Sequence, residues 1–141
     1  QGLAERKRHG DLRDVVARSY REGQIVHVGP EESLLNAYGR MRRSDVSQLP
    51  VIENGRLVGI IDESDILGRV EGDYESRWDR FNSPVSVAMT HELHTLQASQ
   101  TLDALLPVFD RNEVAIISDG DEFIGLVTRI DLINHLRRNS Q

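Results

Sequence analysis

Two stretches of the chain carry the same succession of apolar and polar positions. In the first, a short apolar strand, Leu49-Pro50-Val51-Ile52, leads through the turn Glu53-Asn54-Gly55 to Gly59-Ile60-Ile61-Asp62-Glu63-Ser64-Asp65-Ile66-Leu67. In the second, Val114-Ala115-Ile116-Ile117 leads through Asp119-Gly120-Asp121 to Gly125-Leu126-Val127-Thr128-Arg129-Ile130-Asp131-Leu132-Ile133. Upstream of each strand the apolar period becomes helical. Leu34, Leu35, Tyr38 and Met41 fall on one face in the first copy, and Leu102, Leu105, Leu106 and Phe109 do so in the second. Short segments before those helices, Ile25 to Val28 and His94 to Leu96, predict one more strand each. Each copy therefore reads strand, helix, strand, turn, strand, helix.

The first copy occupies residues 12–70 and the second 83–138, with a spacer over 71–82 and a tail over 139–141. The spacer carries Tyr74, Trp78 and Phe81 at near-helical spacing, which predicts packing residues rather than an aromatic ligand cage. A βαββα unit of about 55 residues buries both faces of its sheet poorly on its own. The expected fold class is α/β (α+β): two βαββα repeats packed face to face with pseudo-two-fold symmetry. Crevices would then open between one copy's sheet and the other copy's helix starts.

Composition narrows the function classes. The chain has 141 residues, about one domain's length, with 38% hydrophobic and 28% charged residues, as in ordinary globular proteins. No apolar run approaches the roughly 18 residues of a membrane span, and no signal-peptide pattern opens the chain, so a cytoplasmic location and no membrane partner are expected. The net charge of −6 argues against nucleic acid as a partner, and the one basic run, Arg6-Lys7-Arg8, reads as a solvated linker. Cysteine is absent, which excludes disulfides, thiolate catalysis and zinc–thiolate sites. Lys7 is the only lysine. No P-loop, GxGxxG or GxSxG motif occurs, and no nucleophile sits with an acid or base. His91-Glu92-Leu93-His94 lacks the spacing that puts both rings of a zinc motif on one helical face. An enzyme acting by itself is therefore not expected.

The helix starts are the most informative positions. Thr128-Arg129-Ile130-Asp131 fits a capping box, which alone stabilises a helix by about 0.5–2 kcal/mol. The same helix start exposes unpaired N–H groups that suit an anion. The first copy differs, because Asp62 replaces Thr and crowds one turn with Glu63 and Asp65. Two charges about 4 Å apart repel by about 4 kcal/mol at an effective dielectric of about 20, so this start is expected to be phosphate-averse.

The phrases Gln48-Leu49-Pro50-Val51-Ile52, Leu57-Val58-Gly59-Ile60-Ile61, Ser64-Asp65-Ile66-Leu67 and Ile124 to Leu132 resemble the CBS domain. A tandem pair of these is a Bateman module. The resemblance implies a regulatory unit that binds an adenosine-type ligand (S-adenosylmethionine, AMP or ATP) and associates as a homodimer. Asp131 would then hold the ribose hydroxyls, Thr128 would meet the phosphate or ligand tail, and Ile130 would offer an apolar surface to the adenine. Val46, Ser47 and Gln48 match ligand-contacting positions of the family, with Ile25 contributing backbone. Asp62 and Asp65, with Ala115 and Ile116 from the strand start after Glu113, would form a weaker second site. A narrower resemblance, carried by His9 to Val15 and Asp45 to Pro50, is to the C-terminal region of bacterial cystathionine β-synthases. It implies an attached catalytic domain that uses pyridoxal phosphate and carries the cofactor lysine. Residues 1–11 would be a linker remnant. A ligand-free assembly module is the competing expectation.

Overall fold

A computed structural model describes residues 11–17, 19–20, 23, 25–72 and 76–140. Residues 1–10 of the expected linker with its basic run, Tyr74 of the spacer and Gln141 of the tail lie outside the described residues. The helices are α1 (Leu12–Val15), α2 (Leu34–Ser44), α3 (Glu63–Val70), α4 (Arg77–Phe81), α5 (Leu105–Asp110) and α6 (Arg129–Arg138). The strands are β1 (Gln48–Glu53), β2 (Arg56–Asp62), β3 (Thr95–Gln97), β4 (Ala115–Asp119) and β5 (Glu122–Val127). Among the described residues no helix is long and apolar enough to cross a membrane.

The chain divides into two compact units, Val26–Leu93 and a second made of Gln1–Ile25 with His94–Gln141. In the Val26–Leu93 unit, β1 and β2 form an antiparallel hairpin with Glu53 opposite Arg56. Its two-residue turn places Asn54 at φ 53 and Gly55 at φ 80, the doubly left-handed geometry that follows the natural twist of paired strands. The expected strand over Ile25 to Val28 shrinks to one parallel bridge, Val28 with Val51. Val28 donates its N–H to Pro50 and accepts from Ile52. Pairing stops there because Gly29 turns the chain and Pro30 has no N–H to offer.

The second unit repeats this plan with a fuller third strand. Thr95–Gln97 runs parallel to β4, and β4 pairs antiparallel with β5. Both hairpins carry a bulge at the corresponding step, between Val51 and Ile52 and between Ile117 and Ser118. The turns before the helices also correspond. Gly29 N–H donates to the Glu32 carboxylate at 2.7 Å, and Gln97 N–H donates to the Gln100 side chain at the same distance.

The helix faces differ in part from the expected ones. Leu34, Ala37 and Met41 are buried in α2, whereas Leu35 and Tyr38 are exposed. Positions three and seven residues after Leu34 return to the same side at about 100° per residue, while Leu35 starts the opposite edge. In the second unit the helix opens as a 3₁₀ turn over Leu102–Ala104, and α5 buries Leu105, Val108 and Phe109 but leaves Leu106 exposed. Pro107 is tolerated because it lies in the first turn of α5, where N–H groups lack intrahelical partners. Of the spacer aromatics, Phe81 packs on the core of its unit, but Trp78 is exposed.

Each core also recruits the segment that precedes the other repeat. Leu12 and Val15 of α1 are buried with Leu105, Phe109, Ile117 and Val127. Val85 is buried with Leu34, Met41, Val51 and Ile61. The docking bonds match one for one. Leu12 and Arg13 donate N–H groups to the carbonyls of Gln100 and Ala98, and Val85 and Ser86 donate theirs to Glu32 and Pro30. Farther along, Tyr20 N–H donates to Ile124, and Thr90 N–H to Ile60. Gly59 is required where this segment crosses β2, since a Cβ there would lie 2.6 Å from Met89 Sδ and 3.0 Å from the Thr90 carbonyl oxygen.

Leu12→Ala should destabilise the protein by about 2–5 kcal/mol, the range for a buried leucine. Gly59→Ala should cost about 1–3 kcal/mol by overpacking. Urea unfolding checks both, and an unchanged midpoint for Leu12→Ala would show that α1 is not part of a core.

Candidate functional site

The pairing of Ala115 with Val127 ends the second hairpin at the residue before Thr128. Thr128 is extended (φ −108, ψ 172) and caps α6. Its N–H and its Oγ1 both donate to Asp131 Oδ2, at 2.9 and 3.0 Å. Oδ1 of Asp131 accepts no hydrogen bond from the described residues. Two donors on one oxygen fix the plane of the carboxylate and leave the other oxygen able to accept. The first N–H groups of α6 are unpaired within the helix, as at any helix start. Leu132 and His135 turn toward the unit's interior, while Ile130 is 59% exposed beside the start. A half-buried, oriented carboxylate, open amides and an apolar side chain thus stand together. Such a group can accept from hydroxyls, hold an anion and cover a flat ring.

The corresponding start in the Val26–Leu93 unit is built from acids. Asp62 N–H donates to Asp65 Oδ2 at 2.9 Å, and Asp65 N–H donates to Asp62 Oδ1 at 2.8 Å. Burial pushes the Asp65 carboxyl above its ordinary value, and the charge of Asp62 pushes in the same direction. Val46, Ser47 and Gln48 come to this same start. Gln48 pairs with Asp62 across the hairpin, and Glu63 N–H donates to the Ser47 carbonyl at 3.2 Å. Ser47 is exposed, and its hydroxyl donates to the Gln48 side chain at 2.9 Å. Likewise Ala115 and Ile116 sit beside the Thr128 start, but both side chains are buried, leaving mainly backbone to face a ligand. Ile25 is half-buried.

Two features escaped the sequence reading. Arg40 makes a double contact with Glu32, at 2.5 and 2.8 Å, and also donates to the His27 carbonyl. This guanidinium holds the Glu32 carboxyl below its ordinary value. The other is Arg129, whose guanidinium reaches the end of α5 rather than the helix start it belongs to. Among the described residues no three metal-ligating side chains gather into a site.

Two carboxyls should show opposite pH slopes. Asp65 binds its proton more tightly when folded, so its contribution to stability is present below about pH 4 and is lost as pH rises through the folded value. Glu32 binds its proton less tightly when folded, so its contribution is present above about pH 4.3 and is lost as pH falls through the folded value. In urea unfolding between about pH 3 and 7, Asp65→Asn should remove a decline toward neutrality and Glu32→Gln a decline toward acid. Parallel curves for the three proteins would contradict the assignments.

The family model described as CBS domain matches residues 12–72 and 85–138. Inosine-5'-monophosphate dehydrogenase of Korarchaeum cryptofilum is 28% identical over 116 residues, covering 82% of this chain and 23% of that protein. The chain spans between 23% and 46% of the length of three curated relatives it matches. A CBS domain-containing protein of unknown function from Bacillus anthracis is similar in structure, with a TM-score of 0.79 at 19% identity, covering 94% of this chain and 98% of that one. CBSX2, solved in complex with AMP, gives a TM-score of 0.78 at 20% identity, covering 94% and 99%.

Proposed function

Since the chain belongs to the CBS domain family, with both repeats matched, we propose that it is a regulatory module holding an adenosine-type ligand at the start of α6. In this reading Asp131 Oδ1 accepts from the ribose hydroxyls, the first amides of α6 meet an anionic tail, and Ile130 covers the adenine. Thr128 acts by orienting Asp131, because its hydroxyl hydrogen is already committed to Oδ2. The oriented carboxylate with one unclaimed oxygen carries the proposal. The solved complex of a similar fold with AMP supports the ligand class. Val46, Ser47 and Gln48, which lie at the Asp62 start of their own unit, and Ile25 are further ligand-contact residues in this reading. Asp62 and Asp65 make a weaker site, since with Glu63 they put three acids at one helix start, which repels phosphate; Ala115 and Ile116, which the resemblance assigns to that weaker site, belong to the other unit and lie beside Thr128.

The module does no chemistry itself and acts on a partner domain by favouring one of its arrangements. For that partner we propose the pyridoxal-phosphate catalytic domain of a cystathionine β-synthase, on the resemblance carried by His9 to Val15 and Asp45 to Pro50; one similar protein is a different enzyme, an inosine-5'-monophosphate dehydrogenase. A homodimer is proposed as well, supported by Ile133 and Leu136, exposed three residues apart on α6.

Thermal shift and calorimetry with AMP, ADP, ATP and S-adenosylmethionine test the ligand. At about 100 times Kd a true ligand adds about 2.7 kcal/mol of stability. Asp131→Ala should abolish the response and Asp65→Ala should keep most of it. Silence from all four compounds would overturn the ligand assignment. Sedimentation should give a dimer that Ile133→Asp weakens; a monomer at all concentrations would remove the assembly proposal.

A further inference from the structure

We propose that Arg129 is a positioning residue for the Thr128/Asp131 helix start, a role that rests on the ligand assignment above. Its Nη2 donates to the Phe109 carbonyl and, at 3.0 Å, to Asn112 Oδ1. Its Cζ lies 5.9 Å from the centroid of the Phe109 ring. The receiving end is firmly placed. The Phe109 side chain is buried in the core of its unit, and its carbonyl also accepts from Asn112 N–H at 2.9 Å. Asn112 sits at φ 59, a left-handed position that asparagine tolerates. The last carbonyls of α5 lack intrahelical donors and carry partial negative charge, so a guanidinium is a well-matched partner.

Arg129 is the first residue of α6, with the capping Thr128 before it and Asp131 two positions after. Tying this residue to α5 restrains the backbone on which both donors to Asp131 Oδ2 are carried. The planar fork engages two acceptors and one ring together, which an ammonium on a flexible stem does less well. Its charge is spent on α5, so it is not free to serve as a phosphate clamp at the helix start.

Among the described residues the other unit has no equivalent tie. There Asp45 takes the left-handed position after the helix, at φ 54, and Glu63 is the first residue of α3. Neither side chain, ionised, can donate to a carbonyl. The device therefore accompanies the threonine start and is missing from the acidic one.

The test uses the full chain, with AMP and S-adenosylmethionine as probes, and combines titration calorimetry with amide hydrogen exchange. Arg129→Ala should speed exchange of the first-turn amides of α6 while leaving β4 and β5 unchanged. It should also weaken probe binding about tenfold, the low end of what outer partners of binding groups contribute at metal sites. Arg129→Lys should recover part of the affinity. Asn112→Gly, which keeps the left-handed residue but removes one acceptor, should give a smaller loss than Arg129→Ala. Unchanged affinity in Arg129→Ala, with Asp131→Ala still abolishing binding, would overturn the positioning role and leave the ligand assignment standing. A lowered Tm with unchanged affinity would do the same. No binding of either probe by the unsubstituted chain would overturn both, and it would be recognised before any substitution is made.

Discussion

A two-stranded hairpin with two helices cannot close its own core, and the arrangement of this chain follows from that deficit. Each core is completed by the segment lying ahead of the other repeat. Leu12 and Val15 fill one core and Val85 the other, through matching backbone hydrogen bonds. Burying a leucine or valine side chain stabilises by about 1.5–3 kcal/mol, so these anchors are a sizeable part of what so small a unit can gather. Repeat and compact unit are thus different divisions of one chain. Repeats run consecutively, whereas the units exchange their leading segments. Gly59 records the exchange in its most local form, because only a residue without Cβ lets Met89 and Thr90 lie against β2.

Upon this shared frame the two helix starts have diverged in charge while keeping their geometry. Both use a cap whose N–H is held by an acid three residues on, Asp62 with Asp65 and Thr128 with Asp131. With threonine as cap, the hydroxyl supplies a second donor and the carboxylate is oriented without an opposing charge. With aspartate as cap, the two carboxylates face one another, and burial, with the charge of Asp62 added, raises the Asp65 value. The same backbone therefore offers an anion-tolerant start in one unit and an anion-averse start in the other.

What could be read in the residues was local. The order of elements, the Asn54-Gly55 turn and both helix starts follow from period, turn chemistry and capping, which act within a few positions. The losses were of two kinds. Where a face is narrow, apolar identity misleads: Leu35, Tyr38 and Leu106 look like core and are exposed, because the contact stripe admits only what lies in line with Leu34 or Leu105. Where the partner is a distant backbone group, no pattern announces it. Arg129 reaches the Phe109 carbonyl, and Arg40 joins Glu32 to the His27 carbonyl. Carbonyls are present at every position and mark none. Of the candidate site, the Thr128 and Asp131 types were legible as a cap, but the double donation that frees Oδ1 depends on a side-chain rotamer.

The segment exchange also bears on how a ligand signal would leave the site. The chain passes between the compact units at residues 25/26 and again at 93/94. A ligand shifts an equilibrium only by the difference in its affinity for the two states. Ordering the start of α6 stiffens a helix that packs against α1, and α1 belongs to the stretch of chain that continues directly into Val26. A change at Asp131 therefore has a covalent route out of its unit that needs no new contact. The acidic start lies at the head of α3, where Asp62, Glu63 and Asp65 repel an anionic ligand. If the proposed ligand binds at the threonine start, this difference in charge gives the signal to that start and leaves the acidic one a structural part.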